Sequence, residues 1–438
     1  MRVRKTFVTL AAITGLVTAA APALAQFNVA TVADQPAATL LLPYFEVDLA
    51  NPAGANTYFT INNASATAAL GHVTVWSAMH VPVYTFDVYL TGFDVQAINV
   101  RDILSGRLPR TASDGQDPID NFPSPDGISN QGPFSQDINF ATCNGVLPPA
   151  AVPQATIDHI RASLTGQASP VTGQCATKAD GTRIARGYIT VDTVNSCNSL
   201  SPADGINYFG VYTTNQNILW GDYTYTNHIG GLESGDASPL VHVTASATDP
   251  QTSVAGQYTF YGRFVSWTAI DNREPLSTNF MTRFVNLPGT GQTTLTVWRD
   301  ARVNQGYFAC GTTPVWYPMS QEGLRFFDEQ ENPEITQQSP FPPQPPAPDF
   351  LPFGFGAQRV AIGGSLLPTT FSAGMLYLNL NANPPGSTFW PDPDDPFPPS
   401  AQAFVGVHLK GAGRYSTGWQ ATMMDTAKAA IHFTPGGF

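Results

Sequence analysis

Short runs rich in β-branched and aromatic residues recur along the chain, and turn-forming residues follow each run. Gly and Pro each occur 38 times in 438 residues, while charged residues make up only 12% of the chain. This texture is typical of many short strands joined by turns. Disorder would require fewer hydrophobic residues than the 42% present. The sequence therefore predicts an all-β fold.

The predicted strands of the first half have the spacing of an antiparallel meander or a sandwich sheet. The first strand is expected to bend at Pro43, and a short helix is expected near residues 154–164. The predicted strands cover residues 39–48, 56–62, 71–76, 83–90, 94–100, 184–194, 208–213, 219–226, 374–381 and 403–410.

We interpret the chain as two β-sandwich domains, immunoglobulin-like or jelly-roll-like, with long loops. The first covers residues 26–230 and carries a loop insertion at about 108–180 that is rich in Gly, Pro, Ser and Asp. The second covers residues 231–438, with proline-rich loops at 340–352 and 383–400 that favour extended polyproline II. A single sandwich that interleaves both halves is the alternative.

A local pattern occurs in both halves. A strand ending in Asn is followed by a strand ending in Thr-Val-Trp at Trp76, and a similar pair ends in Thr-Val-Trp at Trp298. Convergent hairpins and an internal duplication both explain this pattern. In either case, the two tryptophans are expected in the core.

Residues 1–25 have the features of a bacterial signal peptide. Arg2, Arg4 and Lys5 precede a short apolar run, and Ala23-Leu24-Ala25 is a small-residue cleavage site. We expect export to the periplasm, the cell surface or the medium. No later apolar run has the length of a transmembrane helix.

The charge balance argues against two classes of partner. The net charge is −12, and removing the basic leader makes it more negative. An acidic, lysine-poor surface repels phosphate groups, so nucleic acids and anionic lipids are poor partners.

Four cysteines, Cys143, Cys175, Cys197 and Cys310, predict two disulfides in an exported protein. A strand at 184–194 would hold Cys175 and Cys197 apart. We expect Cys143–Cys175 with Cys197–Cys310, and keep Cys143–Cys197 with Cys175–Cys310 as the alternative. The absence of a CxxC pair argues against zinc.

Two blocks, Leu40–Asp48 and Arg186–Asp192, resemble segments of a family of uncharacterised exported bacterial proteins. The resemblance extends along most of the mature chain. It implies no known activity and no site residue.

Catalytic motifs give little support for an enzyme. The nucleophile elbow, P-loop, HExxH and GxGxxG signatures are absent. A glycosidase would need two carboxylates across a cleft, and Glu274 is more simply a turn residue. We therefore assign no catalytic residue.

One cluster of acids, Asp392, Asp394 and Asp395, has the oxygen-rich character that suits calcium. It lacks the glycine of a tight turn and a closing bidentate acid, so exposed turn residues are the simpler interpretation. Calcium is the only cofactor considered.

Large rings beside turn residues are the candidate binding groups, since exposed rings stack on sugars or insert into partner pockets. These residues are Trp220, Tyr223, Trp316, Tyr317 and Trp390. We expect a non-enzymatic exported protein that binds an envelope or extracellular glycan or protein. The alternatives are a self-assembling subunit of a surface layer or filament, and a carbohydrate-active hydrolase.

Overall fold

The computed structural model describes residues 35–109, 143, 147, 150–227, 234–245, 259–265, 271–301, 306–314, 317, 319, 323–334, 353–380, 402–411 and 415–424. These residues form an almost entirely β structure, which confirms the predicted fold class. The leader at 1–25 and both proline-rich loops lie outside the described residues.

The strands are, in chain order, β1 (Thr39–Asp48), β2 (Asn56–Asn63), β3 (Ala69–Ser77), β4 (Pro82–Leu90), β5 (Val95–Asn99), β6 (Ile184–Val194), β7 (Leu219–Trp220), β8 (Asp222–Asn227), β9 (Ser234–Pro239), β10 (Val241–Val243), β11 (Asn279–Leu287), β12 (Gly291–Arg299), β13 (Gly323–Phe327), β14 (Pro333–Glu334), β15 (Ala357–Ala361), β16 (Ala373–Asn379), β17 (Ala403–Gly411), β18 (Tyr415–Gln420) and β19 (Thr422–Met423). The helices are α1 (Val100–Ile103), α2 (Gln154–Thr165) and α3 (Ile206–Phe209).

The described strands form three antiparallel sheets. The first has the order β10-β1-β6-β3-β4, and the third has the order β5-β2-β8-β9 with β7 also on β2. The second has the order β14-β13-β16-β11-β12-β17-β18, with β15 on β12 and β19 on β11. Strands β9 and β10 follow residue 230 yet pair with β8 and β1. The division into two domains at this point stays a prediction.

Pro43 bends β1 as expected. The register of β1 against β6 shifts between Leu42 and Phe45, so β1 gains one residue over its partner. Proline cannot donate to the sheet, and a bulge accommodates the missing hydrogen bond.

Both predicted core tryptophans are buried. Trp76 stacks on Tyr188 with ring centroids 5.5 Å apart, and the Trp298 ring meets Tyr188 edge-on at 5.9 Å. Neither strand pair that ends in these tryptophans is a long hairpin. In the first half, β2 and β3 lie in different sheets. In the second half, β11 and β12 pair only next to their turn.

The disulfides are Cys143–Cys197 and Cys175–Cys310, so the expected pairing is wrong and its alternative is confirmed. Strand β6 does separate Cys175 from Cys197. Cys143 packs in the core cluster that Cys197 borders, whereas Cys175 exchanges backbone hydrogen bonds with Phe308, beside Cys310. Long-range packing therefore decides the pairing.

One predicted strand is also wrong. Residues 206–209 form α3, and the chain then turns to a single bridge between Thr213 and Val194. Gly205 enters this helix at a φ of 59°, which favours glycine, and the helix buries Tyr208 and Phe209. The predicted helix at 154–164 is confirmed as α2.

Candidate binding face on the third sheet

The third sheet packs one side against the core and leaves part of the other side exposed. Along β2, Phe59 and Ile61 are buried, while Tyr58 is 41% exposed. Successive residues of a strand point to opposite sides, so Tyr58 lies on the outward side. On β7, Trp220 is 43% exposed.

The strand register places both rings on the same side. Tyr58 lies opposite Thr224 of β8, and Asn62 lies opposite Trp220 of β7. Directly opposed residues of antiparallel strands share a side. The four residues from Tyr58 to Asn62, with one strand spacing, separate the Cα atoms of Tyr58 and Trp220 by roughly 14 Å. We call the outward side formed by Tyr58, Thr60, Trp220, Asp222 and Thr224 the aromatic face.

A hydrogen-bonded pair lies between the rings. The Thr60 hydroxyl donates to Asp222 Oδ1 over 3.1 Å, and the Asp222 backbone N–H donates to Thr60 Oγ1, also over 3.1 Å. The Asn62 amide donates to the same hydroxyl oxygen over 3.2 Å. These bonds hold an exposed carboxylate in a fixed position between two aromatic side chains.

Gly221 sets how closely β7 and β8 approach β2. A Cβ atom at this position would lie 2.1 Å from the Thr60 carbonyl oxygen and 2.8 Å from Leu240. Only glycine fits such an approach, so Gly221 positions both Trp220 and Asp222.

The inward side of this sheet anchors it. Tyr223 and Tyr225 are buried with their rings 5.2 Å apart, and the Tyr225 hydroxyl donates to the Tyr44 carbonyl oxygen over 2.8 Å. This packing on β1 supports the outward side as a rigid platform.

Apolar residues border the aromatic face at the β5 edge. Val95 is 63% exposed and lies opposite Asn62 on the side away from Trp220. Phe93 is 53% exposed with a φ of 59°. A bulky residue with a positive φ is uncommon, and here the turn before β5 holds it.

The predicted binding residues are not gathered at one place. Trp220 lies on the aromatic face, whereas Tyr223 and Tyr317 are 1% and 5% exposed and belong to the core. That burial removes Tyr223 and Tyr317 from the surface that the prediction required.

Five of the predicted site residues lie outside the described residues: Trp316, Trp390, Asp392, Asp394 and Asp395. The described part of the chain contains no group of three or more His, Cys, Asp or Glu placed to hold a metal ion.

Sequence reasoning missed Tyr58 and Thr60. The signal is the alternation of Asn56–Asn62, which places Tyr58 on the opposite side from Phe59 and Ile61. An aromatic ring on the polar side of a half-buried strand marks an exposed ring.

A buried polar network lies beneath the first sheet. Asp192 accepts from the hydroxyls of Tyr208 and Tyr261 over 2.9 and 3.0 Å, and it lies 3.5 Å from Arg273. Arg273 also contacts Asp271 over 3.3 Å. Burial would lower the pKa of Arg273, but the attraction of the two carboxylates outweighs it and raises that pKa. Its members are buried, so the network offers no surface to a ligand.

A second buried cluster joins distant segments. His80 Nδ1 lies 2.5 Å from the Tyr317 hydroxyl, and the His80 ring also contacts Tyr188 and Trp298. Burial lowers the pKa of His80 well below its usual value, and the positive charge of Arg263 adds to this. Sequence reasoning gave no signal for this cluster.

Another exposed apolar surface lies on the second sheet. A groove of about 410 Å³ is lined by Met281, Met375, Trp419 and Met424. The Arg283 guanidinium covers the Trp419 ring at 5.1 Å. Among the described residues, no ring or guanidinium stacks on Trp220 in this way. The aromatic face is therefore the better candidate for stacking on a ligand.

The structured part of the chain contains no helix long and apolar enough to cross a membrane. Its two disulfides indicate an oxidising environment. Comparison of the chain with protein families, with curated proteins and with solved structures finds no match.

Proposed function

We propose that this is an exported, non-enzymatic protein that binds an envelope or extracellular glycan through the aromatic face. One observation carries the proposal: two exposed rings, Tyr58 and Trp220, flank a fixed Thr60–Asp222 pair on one side of a sheet. Flat rings stack on the apolar faces of sugars, while hydroxyl and carboxylate groups bind sugar hydroxyls.

The rigidity of the face supports this function. Side chains on a packed sheet lose little conformational freedom when a ligand binds, which lowers the cost of binding. Hydrogen bonds from the Asp222 backbone to Thr60 and from the Tyr225 hydroxyl to Tyr44 already hold this part of β8 in place.

The location of the charged groups favours binding over hydrolysis. A glycosidase needs a pair of carboxylates open to substrate. Asp192 and Asp271 are fully buried beside Arg273, and Asp222 is the acid of the aromatic face.

Retention of the purified protein on a panel of polysaccharides and on isolated cell envelopes tests the proposal. We expect Trp220→Ala to lose retention and Trp220→Phe to keep most of it. Leu287→Ala is the matched control, because Leu287 is also 43% exposed but lies on the second sheet.

Equal retention of the native protein and Trp220→Ala would refute the proposal, provided that both melt at similar temperatures. Release of reducing sugar ends in place of retention would favour the hydrolase.

A structural subunit is the second candidate, favoured by the position of β5. This strand is at the edge of the third sheet, with Val95 and Ala97 exposed. An edge strand can pair with a strand of another copy. Sedimentation of the native protein tests this: large assemblies that Val95→Lys disperses would support it, and a monomer would refute it.

A further inference from the structure

Resting on the proposed function, we infer that the ligand is a polysaccharide chain without acidic groups, several sugar units long, that spans from Trp220 to Tyr58. Three features of the aromatic face support this class of ligand.

The first feature is charge. Strands β2, β5, β7, β8 and β9 contain no Lys or Arg. Asp222 is exposed at the centre of the aromatic face, and the whole chain has a net charge of −12. Glycans that carry carboxylate, sulfate or phosphate groups would be repelled, and no cation is present on these strands to bind them.

The second feature is the distance between the rings. Their Cα atoms are roughly 14 Å apart, which follows from four residues along β2 and one strand spacing. One sugar ring cannot stack on both side chains at this separation. A linear chain can stack one unit on each ring and lay the units between them over Thr60 and Asp222.

The third feature is the polar pair between the rings. Thr60 Oγ1 receives hydrogen bonds from Asn62 and from the Asp222 backbone, and its own proton goes to Asp222 Oδ1. The Thr60 hydroxyl is therefore committed to the protein, and the exposed carboxylate is the group that accepts from sugar hydroxyls. An acceptor fixed between two rings selects a chain of hydroxyl-bearing units.

Two polymers of matched length test the charge: a soluble neutral glucan and anionic polygalacturonate. We expect the neutral polymer to bind more tightly than polygalacturonate, with an affinity that changes less than twofold as the salt concentration rises. Binding driven by charge would weaken steeply in salt.

Glucan oligomers from dimer to octamer test the span. The native protein should bind the longest oligomers about tenfold more tightly than the shortest, since the second ring adds one stacking contact. Tyr58→Ala should remove this gain without changing the affinity for short oligomers. Leu287→Ala should leave both affinities unchanged.

Preference for polygalacturonate, or an affinity that does not depend on oligomer length, would overturn this inference. If Trp220→Ala still weakened binding of the preferred polymer, the proposed function would stand. If no polymer bound in a Trp220-dependent way, both would fall.

Discussion

Buried His80 should make the protein acid-labile at a pH where exposed histidines have little effect. The side chain is completely buried, and Tyr188 and Trp298 contact its ring. Burial lowers the pKa of His80, and the nearby positive charge of Arg263 adds to this. The folded protein therefore keeps this imidazole neutral while the unfolded chain takes up a proton.

Proton linkage gives the sign and the size of the change in the free energy of unfolding with pH. In the unfolded chain His80 titrates near pH 6.5, so its contribution to stability is complete above that pH and is lost as the pH falls. Each pH unit below 6.5 should lower the free energy of unfolding by about 1.4 kcal/mol, until the pKa of the folded state is reached. Between pH 6.5 and pH 5 the loss is about 2 kcal/mol.

Urea unfolding followed by tryptophan fluorescence measures this loss, because Trp76 and Trp298 lie in the same cluster as His80. The comparison variant is His80→Asn. Asparagine tolerates the φ of 65° found here and does not titrate. We expect His80→Asn to be less stable than the native protein at pH 7.5, but its free energy of unfolding should fall less between pH 7.5 and pH 5.

His159, whose pKa burial also lowers, remains in both proteins, so it cancels in the comparison. Equal pH slopes for the native protein and His80→Asn would refute the reasoning.

Two further predictions concern the stability of the fold. Gly221→Ala should lower the free energy of unfolding by about 1–3 kcal/mol and weaken glycan retention, because its Cβ would meet the Thr60 carbonyl oxygen at 2.1 Å. Gly306→Ala is the control, because no atom lies within 4 Å of the added Cβ, and it should change the free energy of unfolding by less than about 0.5 kcal/mol. Equal effects of the two substitutions would contradict the prediction for Gly221. The double variant Cys175→Ser, Cys310→Ser removes one disulfide and should lower the free energy of unfolding by about 2–5 kcal/mol. Denaturant unfolding measures this change. An unchanged midpoint would show that the disulfide does not constrain the unfolded chain.

Strand positions could be predicted where the side-chain pattern is strong. The predicted segments 39–48 and 184–194 coincide with β1 and β6. Both strands are long and rich in β-branched and apolar residues, so local sequence alone distinguishes them from the turns around them. The strand predicted at 208–213 failed because Gly205 and a tight turn favour a short helix there.

Site residues were harder to predict because exposure depends on the sheet in which a strand lies. Trp220 and Tyr223 are three residues apart in the same segment, yet one is exposed and the other is core. Tyr317 is buried because His80, far away in the chain, packs against it.

Side-chain type and local periodicity were enough to predict the all-β class, the bounds of the strongest strands and the burial of Trp76 and Trp298. The disulfide pairing, the neighbours of each strand and the placement of Tyr58 and Trp220 on one side of the third sheet became known from the folded chain alone. These depend on contacts between segments distant in the chain, where many pairings satisfy the same local pattern and packing selects one.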